Sequence, residues 1–375
     1  MAAEPSRSVS RVLVRLFVLG LLFAVEFAAL EAVLRWRGGT EASPEFQSLF
    51  TDDEQVGHRL RPNAEARYIT PEFSTDLKIN AQGVRDDQDI GPKAPNERRV
   101  VVLGDSLVLS VQVPLAETFA KRLEARLNAA GGSEHWRVIN AGVQGFSPVE
   151  EWLFYEHVAS AFQPDVVLVV AFVGNDAVEA FDRESWIDAD RPPEVSAHYR
   201  ARTRLVRFVR ASMVLQYVRL RWDLLRARFT SPVDVPERPL VSYAADPPRE
   251  VTHGLEVTRR SYDLIAKKAA AAGARTAFAL MPARFQTDDA DYGHLTEAVR
   301  AAGGELVRNS SSERFAAALA PLGLPMIDLQ PVLAAQPDRV GLFFQRNVHL
   351  TARGHEVVAG ALYDFMKTSG LTSPR

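Results

Sequence analysis

The chain has 375 residues, 47% of them hydrophobic and 24% charged, with a formal net charge of −3. That length allows one large α/β domain with extensions, or two domains, and the hydrophobic share excludes wholesale disorder. The charge balance argues against nucleic acid as a partner, and the absence of cysteine excludes disulfides and thiolate metal sites.

An apolar stretch from Leu16 to Leu34 comes first, close to the ~20 residues that cross a bilayer as a helix. Arg7, Arg11 and Arg15 precede it, and Arg35, Trp36 and Arg37 follow, a slight bias for an N-terminus-inside orientation. A basic start before an apolar run also suits a cleaved signal peptide. The run is long, however, and no small-x-small cleavage site precedes polar sequence, so an uncleaved membrane anchor over 1–37 is expected. Glu26 and Glu31 are unusual inside such a helix. Either they face a partner or, the expected case, Glu31 lies near the interface and Glu26 is tolerated as the neutral acid.

Residues 38–97 are polar and rich in Pro and Gly, with short alternating pieces such as "ARYIT" and "TDLKIN", and they read as a β-rich lead-in without a core of its own. From 98 to 370 the pattern changes. Apolar runs predict strands at Arg99–Leu103, Trp136–Asn140, Asp165–Phe172, Arg275–Met281 and Pro325–Leu329. Helical patterns lie between them in "ETFAKRLEARLNAAGG", "PVEEWLFYEHVASAF", "VTRRSYDLIAKKAAAAG" and "SSERFAAALAPLG". Such alternation predicts an α/β fold with a doubly wound, parallel, five-stranded sheet. Residues 181–250 interrupt the rhythm. Leu205, Phe208, Val209, Met213, Tyr217 and Leu220 recur there at helical spacing amid arginines. This helical insertion could lie on an anionic membrane surface; the simpler reading is a cap on the sheet with solvated arginines.

Four stretches place reactive residue types at strand ends. "VVLGDSLVLS" ends a strand at Ser106, "INAGVQGFSP" carries Gly142, "VVLVVAFVGNDAVEAF" carries Asn175, and "RNVHLTARGHEVVAGAL" puts His349 ahead of the last helix. The carboxyl ends of neighbouring strands in a doubly wound sheet meet at one crevice. Ser106 as nucleophile, His349 as base, and the N–H groups of Ser106 and Gly142 with the Asn175 amide as oxyanion donors would then converge. Glycine at 142 would let substrate approach the backbone. Asp105 and Asp176 are expected to hold their turns through backbone N–H groups. No Gly-x-Ser-x-Gly elbow occurs, "HEVVA" lacks the second histidine of a zinc-protease helix, and no phosphate loop is visible, so neither metal nor organic cofactor is expected.

These blocks, in this order, resemble the SGNH (GDSL-type) hydrolase family: "GDSL" at 104–107, Gly142 in "NAGVQG", "GND" at 174–176 and "HLTARGH" at 349–355. The resemblance covers about Arg98 to Leu362 outside the insertion, and the segment from "INAQGVRDD" to "VVVLGDS" is similar to that of membrane-anchored bacterial members. It implies a flavodoxin-like sheet, an acyl-ester substrate attacked by Ser106 with His349 as base, and an oxyanion hole of Ser106, Gly142 and Asn175. With the apolar helix, it implies a bacterial inner-membrane protein whose catalytic domain is periplasmic and removes acyl, expectedly acetyl, groups from an envelope or exported polysaccharide. Transfer of the acyl group to a sugar hydroxyl, or a non-catalytic binding or assembly role, are the alternatives. One position departs from the family. The aspartate two or three residues before the histidine is replaced by Asn347 or Arg346. Asn347 could accept the imidazole N–H through its amide oxygen; otherwise a backbone carbonyl or a remote acid serves, or the protein is inactive. His355 is expected to be a packing residue rather than the base.

Overall fold

The computed structural model describes residues 7–36, 44–70, 72–191, 212–215, 217–218, 222 and 240–373. The chain divides into two compact units, the first made of residues 1–47, 69–71 and 195–231, the second of 48–68, 72–194 and 232–375.

In the first unit a helix, α1 (Arg7–Trp36), contains a stretch from Val14 to Leu34 with mean hydropathy 2.2 that is largely exposed. It is long and apolar enough to cross a membrane. Glu31 does have a partner within this unit: its carboxylate accepts the N–H groups of Met213 (2.9 Å) and Val214 (3.1 Å) and the Ser212 hydroxyl (2.9 Å). An acid that looks costly in an apolar helix therefore caps the start of a short helical piece. Of the amphipathic positions expected in the insertion, Met213 is buried and Tyr217 exposed; Leu205, Phe208, Val209 and Leu220 lie outside the described residues.

The second unit is built on five parallel strands: β5 (Glu97–Gly104), β6 (His135–Gly142), β7 (Val166–Phe172), β8 (Arg275–Met281) and β9 (Met326–Asp328), in the order β6-β5-β7-β8-β9. Each strand read from the sequence is present. The first two extend further at both ends than their apolar runs suggested. The β-branched run Val100–Val102 and Leu103 are fully buried because helices cover both faces of the sheet, which is why these strands are continuously apolar rather than alternating. Two antiparallel strands, β1 (Phe50–Asp53) and β2 (Gly57–Leu60), and the pair β3 (Glu65–Ile69) and β4 (Ser74–Lys78) make up the lead-in.

Helices Phe119–Ala129, Pro148–His157, Arg249–Ala271, Ser310–Leu319 and Ala352–Thr368 match the helical patterns of the sequence. A further helix, Asp289–Ala301, was not foreseen; Asp288 caps it by accepting the N–H of Ala290. None of its residues is fully buried, and its apolar positions Tyr292, Leu295 and Val299 are only half-buried. Elsewhere packing is close. Helices Asp176–Asp182 and Arg249–Ala271 approach at Gly254, where an added Cβ would sit 1.8 Å from the Ala177 carbonyl oxygen. Gly254→Ala must push these helices apart, and we expect it to destabilise the chain by about 1–3 kcal/mol or more, read as a lower urea midpoint; an unchanged midpoint would show that the contact yields freely.

Candidate active site

In the strand order just given, β5 is the first strand of the sheet in sequence and lies between the second and third. The crevice at the carboxyl ends of β5 and β7 is the topological switch point, where ligands bind in such sheets. Ser106 follows β5, Asn175 follows β7, and Gly142 ends β6.

Ser106 opens a four-residue helix, Ser106–Leu109, so its N–H is one of those that helix geometry leaves without an intrahelical acceptor. The helix is held tightly for its length. Asp105 accepts the Leu107 N–H at 2.8 Å, Asn140 Nδ2 donates to the Val108 carbonyl at 2.7 Å, and the Ser110 hydroxyl donates to Leu107 O at 2.7 Å. Gly104 sits at φ +156°, where a Cβ would lie 2.3 Å from Val108 Cγ2, so the turn requires glycine.

His349 lies in the loop before the last helix, tied by the bond from Phe344 N to its own carbonyl (3.0 Å). Its Nε2 is 2.8 Å from Ser106 Oγ and its Nδ1 is 2.6 Å from Asn347 Oδ1. An amide oxygen only accepts, so the ring proton resides on Nδ1, and Nε2 is left to accept the Ser106 hydroxyl proton. The structure thus brings Ser106, His349 and Asn347 into one line. Although the ring retains some solvent access, protein atoms crowd it, and this burial lowers the imidazole to about 4. No carboxylate stands against Nδ1 to offset that. His355 is fully enclosed, stacks on Phe119 and accepts its backbone N–H at 3.2 Å, a packing role.

The oxyanion donors fare differently. Asn175 reaches the crevice with its Nδ2 donating to Glu179 Oε1 at 2.9 Å, which leaves the second N–H of that amide. The Gly142 N–H is not free: it donates to Asn140 Oδ1 at 3.1 Å. Glycine there also has a packing reason. A Cβ at 142 would lie 2.5 Å from Leu109 N and 2.6 Å from Val108 Cβ, so its bareness admits the Ser106 helix itself. Behind the site lies a group of buried acids, in which the motif residues Asp105 and Asp176 are joined by Glu151 and Glu179, which no motif indicated, with Glu150 at their edge. Burial raises Asp105 to about 6 and Glu179 to about 7, and raises Glu151 and Asp176 well above the carboxylate range, with Asp105 adding to the other three. Asp176 Oδ2 accepts the Phe172 N–H at 2.8 Å, holding the turn that presents Asn175.

Three lead-in residues, also unmarked by motifs, hold the loops of the site. Arg85 is buried and donates to the carbonyls of Leu109, Ser110 and Val113, fixing the exit of the Ser106 helix; burial lowers its guanidinium to about 9, still charged at neutral pH. His58 Nε2 bonds the Gln144 carbonyl at 2.9 Å, two residues beyond Gly142. Glu72 accepts the backbone N–H groups of Gln345 (2.8 Å), Arg346 (3.0 Å) and Asn347 (3.0 Å), fixing the approach to His349. Among the described residues no group of three His, Cys, Asp or Glu side chains could hold a metal ion.

His349 should therefore stay neutral until the pH falls to about 4. Asn347→Asp places a carboxylate against the Nδ1–H and should raise that midpoint by about one unit or more in a histidine NMR titration; an unmoved midpoint would mean that residue 347 does not meet the ring.

Residues 244–374 match the model of the family described as "SGNH hydrolase-like domain, acetyltransferase AlgX". The matched region contains His349 and Asn347. No curated protein matches the sequence. Several solved structures are similar to the chain at low identity. A lipase/acylhydrolase from Enterococcus faecalis is 13% identical with a TM-score of 0.41, covering 72% of this chain and 96% of its own. The acetyl xylan esterase AlAXEase is 14% identical at 0.39, covering 71% and 98%. A two-domain esterase active on acetylated mannans is 12% identical at 0.39, covering 74% and 51%. The match to an SGNH hydrolase-like domain thus covers residues 244–374, the part of the chain that carries β8, β9 and the His349 loop.

Proposed function

We propose that the protein is a serine-dependent enzyme acting on O-acyl esters, with Ser106 as nucleophile and His349 as general base and acid. The observation that carries this reading is the single line of hydrogen bonds from Ser106 Oγ through His349 to Asn347 Oδ1, at 2.8 and 2.6 Å. The Ser106 oxygen attacks the acyl carbon as its proton passes to Nε2. The protonated imidazole then gives that proton to the departing alkoxide, leaving an acyl-Ser106 ester that a second hydroxyl cleaves. The tetrahedral oxyanion is met by the Ser106 N–H and the second Asn175 Nδ2–H. Gly142, whose N–H is engaged by Asn140, serves instead by letting the nucleophile helix close on the sheet. Neither metal nor organic cofactor is required by this chemistry.

The acyl group we propose is acetyl, and the alcohol a sugar hydroxyl of an envelope or exported polysaccharide, with water as the final acceptor. The description of the matched domain as an acetyltransferase favours a second reading, in which another sugar hydroxyl takes the acyl group from Ser106. The apolar helix supports a single-pass anchor in a bacterial inner membrane with the sheet unit on the periplasmic side; the arginines ahead of Leu16 support that orientation.

Ser106→Ala and His349→Ala should each lower p-nitrophenyl acetate hydrolysis by at least about 10³-fold, and to similar extents, because nucleophile and base act as a unit. Full activity in Ser106→Ala would refute the assignment. Added sugar acceptor that appears acetylated in the products would decide for transfer. The full chain should fractionate with membranes, and residues beyond 43 should be cleaved by protease added to spheroplasts; recovery in the cytosol, or protection from that protease, would overturn the topology.

A further inference from the structure

Among the buried oxygens of this acid group that have no hydrogen-bond partner, which include Asp176 Oδ1 and both Glu151 oxygens, two face the same neighbourhood: Asn175 Oδ1 and Glu179 Oε2. They belong to the two side chains already joined at 2.9 Å through Asn175 Nδ2 and Glu179 Oε1. Leaving two such acceptors bare is costly, on the order of 1–3 kcal/mol for each buried polar group. One proton on Glu179 Oε2 removes both defects at once. The acid O–H then donates to Asn175 Oδ1 while Asn175 Nδ2–H donates to Glu179 Oε1, a closed acid–amide pair. Asn175 is the residue that precedes its helix and Glu179 lies one turn on, the separation at which side chains on a helix meet.

We infer that Glu179 is a positioning residue for acyl transfer: as the neutral acid it grips both ends of the Asn175 amide, so that the remaining Nδ2–H is aimed at the oxyanion. This rests on the proposed reading of Ser106 and Asn175. Without Glu179 the amide is free to turn its oxygen toward the site, presenting a lone pair where a donor is needed. When Glu179 ionises, its two oxygens can only accept, the grip on Oδ1 is lost, and a negative charge stands beside the developing oxyanion.

The surroundings favour the neutral form. Burial raises Glu179 most, and Asp105 from the nucleophile turn and Glu150 from helix Pro148–His157 add to it; Arg183, at the end of its own helix, and the hydrogen bond from Asn175 oppose them. Arg183 Nε, however, is committed to Glu150 Oε2 at 2.8 Å. Glu151 and Asp176 belong to the same buried group and feel Glu179 in turn, with the Tyr262 hydroxyl from helix Arg249–Ala271 among them. Burial outweighs Arg183, and Glu179 is held at about 7. The sign follows: acyl transfer should be strongest between the His349 midpoint near 4 and the Glu179 midpoint near 7, and should fall as the pH rises through the latter.

Glu179→Gln and Glu179→Ala separate positioning from bulk packing. Glutamine reproduces the neutral acid, one oxygen accepting from Asn175 Nδ2 and one N–H donating to Asn175 Oδ1, but cannot ionise. Losing one oxyanion donor costs about 10²–10³ in kcat, and a misaimed one somewhat less. We expect Glu179→Ala to lower kcat for p-nitrophenyl acetate by about 10- to 100-fold with KM little changed, Glu179→Gln to recover most of that loss, and the falling limb near 7 to vanish in Glu179→Gln. Wild-type-minus-Glu179→Gln infrared difference spectra should contain a carboxylic-acid C=O band below that midpoint and lose it above. The inference is overturned if Glu179→Ala turns over like the wild type, if Glu179→Gln is as slow as Glu179→Ala, or if no acid band is found. Fluorophosphonate labelling of wild type and Ser106→Ala keeps the two claims apart. Labelling at Ser106 with normal turnover in Glu179→Ala sinks the positioning role alone. Absence of labelling and of turnover in the wild type sinks the reading of Ser106, and the infrared band then decides the acid–amide pair by itself.

Discussion

The pair of hydrogen bonds on the His349 ring is the constraint from which the rest of the site follows. An amide oxygen at Nδ1 dictates one tautomer, and that tautomer gives Nε2 the lone pair that Ser106 needs. A carboxylate in the same place would fix the same tautomer and also stabilise the imidazolium formed during transfer. Asn347 supplies the orientation without the charge. The imidazole accordingly sits at about 4, pulled down by burial alone, and is a weaker base than one paired with an acid. What the site loses in charge at Nδ1 is offset, in the proposed mechanism, only on the other side, by the donors proposed to meet the oxyanion.

That division explains why so much of the chain serves to hold short loops still. A base that must work with one hydrogen bond and no ion pair tolerates little displacement. Glu72 takes up three consecutive backbone N–H groups before His349, Arg85 takes up three carbonyls after Ser106, and His58 holds the loop beyond Gly142. All three come from the lead-in. This segment is thereby part of the site's framework. The two glycines at 104 and 142 work in the same direction, since each removes a Cβ that would keep the Ser106 helix off the sheet.

The sheet was legible because strands covered on both faces leave unbroken apolar runs, and strands such as Arg275–Met281 carry that mark along their whole length. Ser106, Asn175, Asn347 and His349 could be singled out because each stands at a strand end or before the last helix with recognisable neighbours. Gly142 could be found but not understood: glycine is a statement about space, and only the packing reveals that Val108 and Leu109 occupy it. Glu72 and Arg85 left no signal, for their partners are backbone groups, the former some 270 residues away in sequence, and a lone Glu or Arg in a polar strip looks solvated. Glu179 was hidden for the opposite reason. It stands on an ordinary helical face, and its meaning lies in burial beside Asp105, Glu150 and Asn175. Glu31 was conspicuous, but its partner at residues 212–214 lay beyond any local pattern.

The central claim is that Ser106, His349 and the Asn175 amide act together on one acyl centre. It is tested most directly by a crystal structure of the full chain after reaction with a small alkyl fluorophosphonate, whose tetrahedral phosphorus mimics the acyl intermediate. The account predicts a covalent bond from Ser106 Oγ to phosphorus, with His349 Nε2 beside it. The phosphoryl oxygen should lie about 2.7–3.1 Å from both the Ser106 N and Asn175 Nδ2 atoms. A phosphonate on another residue, or a phosphoryl oxygen that meets neither donor, would contradict it.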